Sequence, residues 1–253
     1  MVTEKPIFHL KDNYYDGSHP WYYDTNDYKW VKSIEENWHL VRDEIVSTLS
    51  EKDQIINNPL QHGVSRPGAW KYIHLLFFGW ERKQNIKKFP VTWSVFTKNV
   101  PGLIFLTIST LDKNAEVLPH YSDTNTNLRC HLGIKIPSPL PLCGIKVGNE
   151  ERSWEEGKVI MFSDCHQHSV WNHSNENRIV IVFDVLKKEY SHNQNWMCAQ
   201  YLGLQTLCMI DSKLSFRQKT PITILKVLHF LSSVPWLFYL ILSKKKTNFF
   251  KTI

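Results

Sequence analysis

Val31, Ile34, Trp38, Val41, Ile45 and Leu49 recur at threes and fours, the spacing that gathers apolar side chains on one face of a helix. The stripe predicts one helix packed on a core, closed by the turn signals AsnAsnPro at 57–59 and ArgProGly at 66–68. The surrounding segment, from Trp21 to about Trp80, is aromatic-rich and reads as helical in period. Near Val100 the pattern changes to short apolar runs broken by Pro, Gly and Asn: Leu103–Ile108, Leu128–Ile136, Gly144–Val147, Val159–Phe162 and Ile179–Val185. Runs of that length and spacing predict the strands of a sandwich or small barrel. The expected fold is therefore mainly β with flanking helices. Residues 1–88 form a helical segment packing on the core, 89–190 the β core, and 191–253 a helical, apolar and basic extension.

Polar residues fall on this pattern in a particular way. In the strand from Leu128 to Ile134, Arg129, His131 and Gly133 share one side, and Leu128, Cys130, Leu132 and Ile134 the other. The polar side either turns toward a ligand inside a barrel or faces solvent. In the run Met161–Asn172, Asp164, His166 and His168 share a side if the segment is extended, so two histidines compete for one role. Arg178 opens the apolar strand Ile179–Val185, where burial is costly without an acidic partner. A bound carboxylate would supply that partner in the two-point geometry that suits guanidinium. His120 lies on a separate strand-like run, Val117–Gly133. Two imidazoles from different strands, with coordination positions left open, read as an open metal site. A carboxylate often completes such a site two residues after the first histidine. Here that place is Ser122, and Asp123, one step on, points the other way in an extended strand.

Composition narrows the reading. With 253 residues, 42% hydrophobic and 21% charged, the chain is globular and able to bury a sizeable core. The net charge of +6 is concentrated at Lys213, Arg217, Lys219, Lys226 and Lys244 to Lys246, which suits a local anionic surface such as phospholipid headgroups. No nucleic-acid motif accompanies it. Five cysteines, odd in number and without a CysXaaXaaCys unit, fit reduced thiols in a cytoplasmic compartment. The stretch Met1–Leu10 lacks the basic-then-apolar layout of a secretory signal. From Ile222 to Ser243 the chain is apolar and long enough to cross a bilayer, but is interrupted by Lys226, His229 and Pro235. It reads as a buried helix pair broken at Pro235; an in-plane membrane-surface helix through 222–246 and a spanning anchor are the alternatives.

Several strings occur together in one order: ValProGly (100–102), LeuProHis ending at His120, LeuArgCysHisLeuGly (128–133), CysGlyIleLysValGlyAsnGlu (143–150), TrpGluGluGlyLys (154–158), HisSerValTrpAsn (168–172) and ArgIleValIleValPheAspVal (178–185). In these the chain resembles the aspartyl/asparaginyl β-hydroxylase family, closely over Phe89 to about Lys187. The resemblance implies a double-stranded β-helix core of the jelly-roll or cupin-like kind. It also implies a dioxygenase that uses Fe(II), with 2-oxoglutarate and dioxygen as cosubstrates, to hydroxylate an unactivated carbon of a peptidyl Asp or Asn, a lipid acyl chain or a metabolite. Carried over by residue, His120 and His168 are the metal ligands. Arg178 and Ser109, the latter eleven residues before His120, hold the far carboxylate of 2-oxoglutarate. Arg129 and His131 meet its near carboxylate or an acidic group of the prime substrate, and Asp164 orients a histidine through its other ring nitrogen. Trp171 reads as packing, and His166 and His173 as non-ligands. The family includes members without the third carboxylate. A non-catalytic cupin-like protein binding an acidic ligand is the alternative, favoured by Ser122.

Overall fold

Asn37 splits the first predicted helix in two. The computed structural model describes residues 4–11, 14–49, 56–57, 66 and 68–249. Within them the stripe of apolar residues forms α1 (Lys29–Glu36) and α2 (Trp38–Thr48). The Asn37 side chain donates to the Ser33 carbonyl at 2.8 Å, the local competition with backbone bonding that makes Asn a poor helix-interior residue. Val31, Ile34, Val41 and Ile45 are buried as the stripe requires, whereas Leu49 lies past the helix end. Of the two turn signals, residues 58–59 and Pro67 lie outside the described residues.

Next come β1 (Ile56–Asn57), β2 (Trp70–Phe77), β3 (Trp80–Glu81), α3 (Lys83–Lys88) and α4 (Pro90–Asn99). β2 corrects the helical reading of the aromatic segment: it pairs with the first core strand, and a register shift between His74 and Leu76 breaks the alternation that would have marked it in the sequence. The core strands are β4 (Leu103–Leu111), β5 (Ala115–His120), β6 (Asn127–Lys135), β7 (Cys143–Val147), β8 (Glu150–Arg152), β9 (Val159–Phe162), β10 (His168–Asn172) and β11 (Arg178–Leu186). Among the described residues one sheet runs β1-β2-β4-β11-β6-β9, with β3 on β2, and a second runs β5-β10-β7-β8. From β4 onward the chain passes back and forth between the sheets with antiparallel pairing, which is the double-stranded β-helix.

Strand alternation sorts the side chains into two cores. Leu128, Cys130, Leu132 and Ile134 of β6 and Ile181, Phe183 and Val185 of β11 pack against Val31, Ile34, Ile45 and Phe96 of the N-terminal helices. The opposite faces meet Val117, Ile145 and Val170 of the small sheet. Arg129 and His131 on β6, and Arg178 and Asp184 on β11, are therefore on the inner side. At Gly133 a Cβ would come 2.2 Å from the Glu155 carbonyl oxygen, so the crossing segment leaves no room for a side chain.

The C-terminal region differs from expectation. α5 (Gln194–Leu214) is followed by α6 (Ile222–Phe249), which runs unbroken through Pro235. Proline removes the N–H that would bond the Leu231 carbonyl and crowds that turn, yet the helix continues, and the Ser233 hydroxyl donates to the His229 carbonyl at 2.6 Å. Nor is the apolar stretch buried: only 22% of it lies inside the protein, although its length and composition suffice to cross a membrane. No disulfide joins the five cysteines, four of which are buried.

Candidate active site

β5 and β10 are neighbours in the small sheet, and their register sets His120 directly opposite His168. The ring centroids are 4.1 Å apart. Each Nδ1 lies against a backbone carbonyl, His120 against Leu118 at 2.8 Å and His168 against His166 at 3.0 Å. A carbonyl only accepts, so Nδ1 carries the proton in both rings and Nε2 keeps its lone pair. Burial lowers both pKa values, which holds the rings neutral. Neutral imidazoles, each fixed in one tautomer by its other nitrogen, are what a metal ion requires.

The two histidines border a hollow of about 40 Å³ shared with Ser109, Arg129, His131 and Arg178, the remaining residues singled out from the sequence. Trp70, Tyr72, Val117, Phe162, Val170 and Val182 complete its wall. Larger surface hollows of about 640 and 940 Å³ contain none of the six.

Arg178 is 2% exposed, and among the described residues no carboxylate lies within ion-pair reach of it. Its Nε has no hydrogen-bond partner, and its guanidinium carbon stands 5.0 Å from the Trp154 ring. Burial brings its pKa down to about 10. Ser109 Oγ accepts from Trp70 Nε1 at 3.1 Å, leaving the hydroxyl proton to donate. His131 Nδ1 accepts from Trp154 Nε1 at 3.3 Å, so its proton sits on Nε2, and burial followed by the charges of Arg178 and Arg129 keeps the ring neutral. Together these groups offer a cation and two neutral donors to an acidic ligand beside two bare imidazole nitrogens.

Arg129 departs from expectation. Its Nε and Nη2 donate to the two oxygens of Asp184 at 2.9 and 2.8 Å, and Nη1 stands 3.1 Å from Asp164 Oδ2. The carboxylates expected from a ligand are thus supplied by the chain itself, although Arg129 still borders the hollow. Asp164 serves Arg129 and not a histidine, and burial raises its carboxyl to about 6 despite the neighbouring guanidinium. The reason lies in the backbone: 161–172 is not one extended strand. A turn closed by His166 N–H to the Ser163 carbonyl at 3.3 Å ends β9 on one sheet before β10 begins on the other. His166 is thereby turned to the His19 carbonyl, at 2.8 Å from Nε2, and packs on Tyr15.

His173 pairs with Glu116 at 2.6 Å on the surface, and Trp171 Nε1 donates to the Pro141 carbonyl at 2.8 Å. Ser122 donates its backbone N–H to the Asp164 carbonyl, and Asp123 accepts from Gln205 of α5 at 2.9 Å. No third His, Cys, Asp or Glu joins the two histidines among the described residues. The donor set fits a metal held by two protein ligands with its other positions open.

Three contributors escaped the sequence reading. Asp184 was legible as a residue an even number of steps from Arg178 along β11, hence on the same face. Trp70 and Trp154, which fix Ser109 and His131, carry no such signal.

Fold and site define the class: a cupin-like barrel with a facing pair of histidines and a buried arginine on one hollow. The chain belongs to the aspartyl/asparaginyl beta-hydroxylase family, whose profile matches residues 35–188. The ornithine lipid ester-linked acyl 2-hydroxylase of Rhizobium tropici is 32% identical over 181 residues, covering 69% of this chain and 64% of that protein. The aspartyl/asparaginyl beta-hydroxylases of Mus musculus and Homo sapiens are also 32% identical, over 69% of this chain and 24% of each. The chain thus spans less than two thirds of the bacterial relative and about a quarter of the mammalian ones. Among solved structures, a collagen prolyl hydroxylase of Paramecium Bursaria Chlorella virus-1 aligns with a TM-score of 0.38 at 12% identity, over 67% of this chain and 97% of that one.

Proposed function

We propose that this chain is an Fe(II)- and 2-oxoglutarate-dependent dioxygenase that hydroxylates an unactivated carbon of a peptidyl Asp or Asn, a lipid acyl chain or a small molecule. The observation that carries the reading is Arg178, a buried guanidinium without a carboxylate among the described residues, on the same hollow as two imidazoles with bare Nε2 atoms. His120 and His168 hold the metal. Bound iron supplies oxygen activation and couples decarboxylation of 2-oxoglutarate, giving succinate and carbon dioxide, to hydroxylation of the substrate. Arg178 and Ser109 bind the far carboxylate of the cosubstrate, and His131 Nε2–H donates to the near one. Arg129, pinned by Asp184 and Asp164, has its charge met within the chain and forms a fixed wall of the hollow. Phe162, Val170 and Val182 line the same hollow with apolar surface, a low-dielectric wall that strengthens such contacts.

The names of the relatives support both lipid acyl chains and Asp or Asn side chains as prime substrates. A cytoplasmic, membrane-associated location accords with the cysteines and with the apolar α6. The second reading, a cupin-like binder of an acidic ligand without turnover, draws on the absence of a third protein ligand among the described residues. To separate the two, the full chain is loaded anaerobically with Fe(II) and 2-oxoglutarate and then exposed to air. The oxygenase reading expects succinate; metal and cosubstrate bound without succinate favours the binder.

A further inference from the structure

α5 and α6 are built with polar groups between them and apolar groups outside. His229 Nε2 meets the Gln200 carbonyl at 2.7 Å, Ser232 Oγ donates to the Gly203 carbonyl at 3.1 Å, and Trp236 Nε1 donates to Thr206 Oγ1 at 3.0 Å. The backbones close at Gly203, where a Cβ would come 2.3 Å from Ser233 Oγ. Small residues and interhelical hydrogen bonds at the contact are how helices associate when the medium outside is apolar. The outer arc of α6 agrees. Ile224, Val227, Leu231, Phe238 and Leu242, at threes, fours and their sum, are exposed, Leu231 at 59% and Phe238 at 61%. In water such a face is an unmet hydrophobic patch.

Charge says what covers it. From Ser212 to Ile253 the sequence has eight Lys or Arg and no Asp or Glu, more than the whole chain's net +6, so the remainder is net acidic. The cations flank the apolar stretch at both ends, with Lys213, Lys219 and Lys226 exposed near its start and Lys244 to Lys246 following in sequence. A second copy docking through the same face would meet its own positive charge, whereas anionic headgroups complement it. α6 is also held on the protein body near both ends, through Leu225 with Leu10 and Leu204, and through Leu240 at Gly79. A crossing helix would drag the β core into the bilayer. One side on protein, the other apolar, and cations at both ends describe a helix lying in the plane of one leaflet.

We propose that the outer face of α6 seats this protein in the surface of an anionic bilayer, apolar side chains among the lipid tails and lysines at the headgroups. α5 is tied by Gln205 to Asp123, three residues beyond His120, so the seated element also braces the loop behind the candidate metal site. The seating stands on the helices alone and is independent of the oxygenase reading.

The test is flotation of the purified full chain with vesicles of phosphatidylcholine and phosphatidylglycerol at 3:1, and of phosphatidylcholine alone. The chain is expected to float with the anionic vesicles and less with the neutral ones. Leu231→Glu with Phe238→Glu should lower the partition coefficient at least about 100-fold, with far-UV circular dichroism unchanged. A wild-type chain left in the soluble fraction with anionic vesicles overturns the proposal, as does a double variant that floats equally well. So does a soluble wild-type dimer, in sedimentation, that the double variant converts to monomer.

Discussion

Replacing His168 by alanine is expected to cut iron-dependent succinate formation by about three orders of magnitude or more, with far-UV circular dichroism unchanged. The size of the loss follows from the donor set. Only two imidazoles face each other across β5 and β10, and no third ligand stands by among the described residues, so removing one leaves the metal a single protein bond. His166, two positions away in sequence, cannot take over, because its Nε2 is engaged by the His19 carbonyl and its ring is packed on Tyr15. His166→Ala should accordingly retain succinate formation within a few-fold. Turnover surviving in His168→Ala and lost in His166→Ala would reverse the assignment.

Arg178→Met should move stability and activity in opposite directions. The wild-type guanidinium is desolvated with no carboxylate within reach among the described residues, a state that a methionine of similar shape relieves. Without cosubstrate, the variant should be more stable by roughly 1–3 kcal/mol, or about 2–10 °C in Tm. Its turnover of 2-oxoglutarate should fall at least about 100-fold, since the far carboxylate loses its two-point charged partner. The stabilisation that saturating 2-oxoglutarate confers on the Fe(II)-loaded wild type should likewise be absent. Differential scanning calorimetry with and without 2-oxoglutarate, alongside succinate kinetics, reads all three. A variant that is less stable than wild type and still binds the cosubstrate would mean that Arg178 is a structural cation.

The β core was legible because its strands are short apolar runs between turn residues, and because alternation in β6 fixes which side chains face inward once one face is known to be buried. What stayed hidden depends on partners far along the chain. Arg129 finds Asp184, 55 residues away, because β6 and β11 pair with those two residues in register, and no local pattern announces a register. The turn that separates His166 from His168 is made by SerAspCysHisGln, without glycine or proline to mark it. Asn37 broke a helix that its apolar stripe carried straight through. Pro235 failed to break one: α6 runs through it, tied to α5 on either side by His229 to the Gln200 carbonyl and Trp236 to Thr206. The apolar stretch of α6 was plain in the sequence, but which of its sides meets protein was decided by Gly203 and Ser233, where the two helices touch.

In the proposed site His120 and His168 share one metal ion while Arg178 holds the far end of an acidic cosubstrate. Crystals grown anaerobically with Fe(II) and 2-oxoglutarate, measured at the iron absorption edge, test it most directly. One anomalous peak is expected about 2.0–2.3 Å from Nε2 of both histidines, with the far carboxylate of 2-oxoglutarate on Arg178 and Ser109. A peak on one histidine alone, a peak elsewhere in the chain, or a cosubstrate that leaves Arg178 untouched would contradict it.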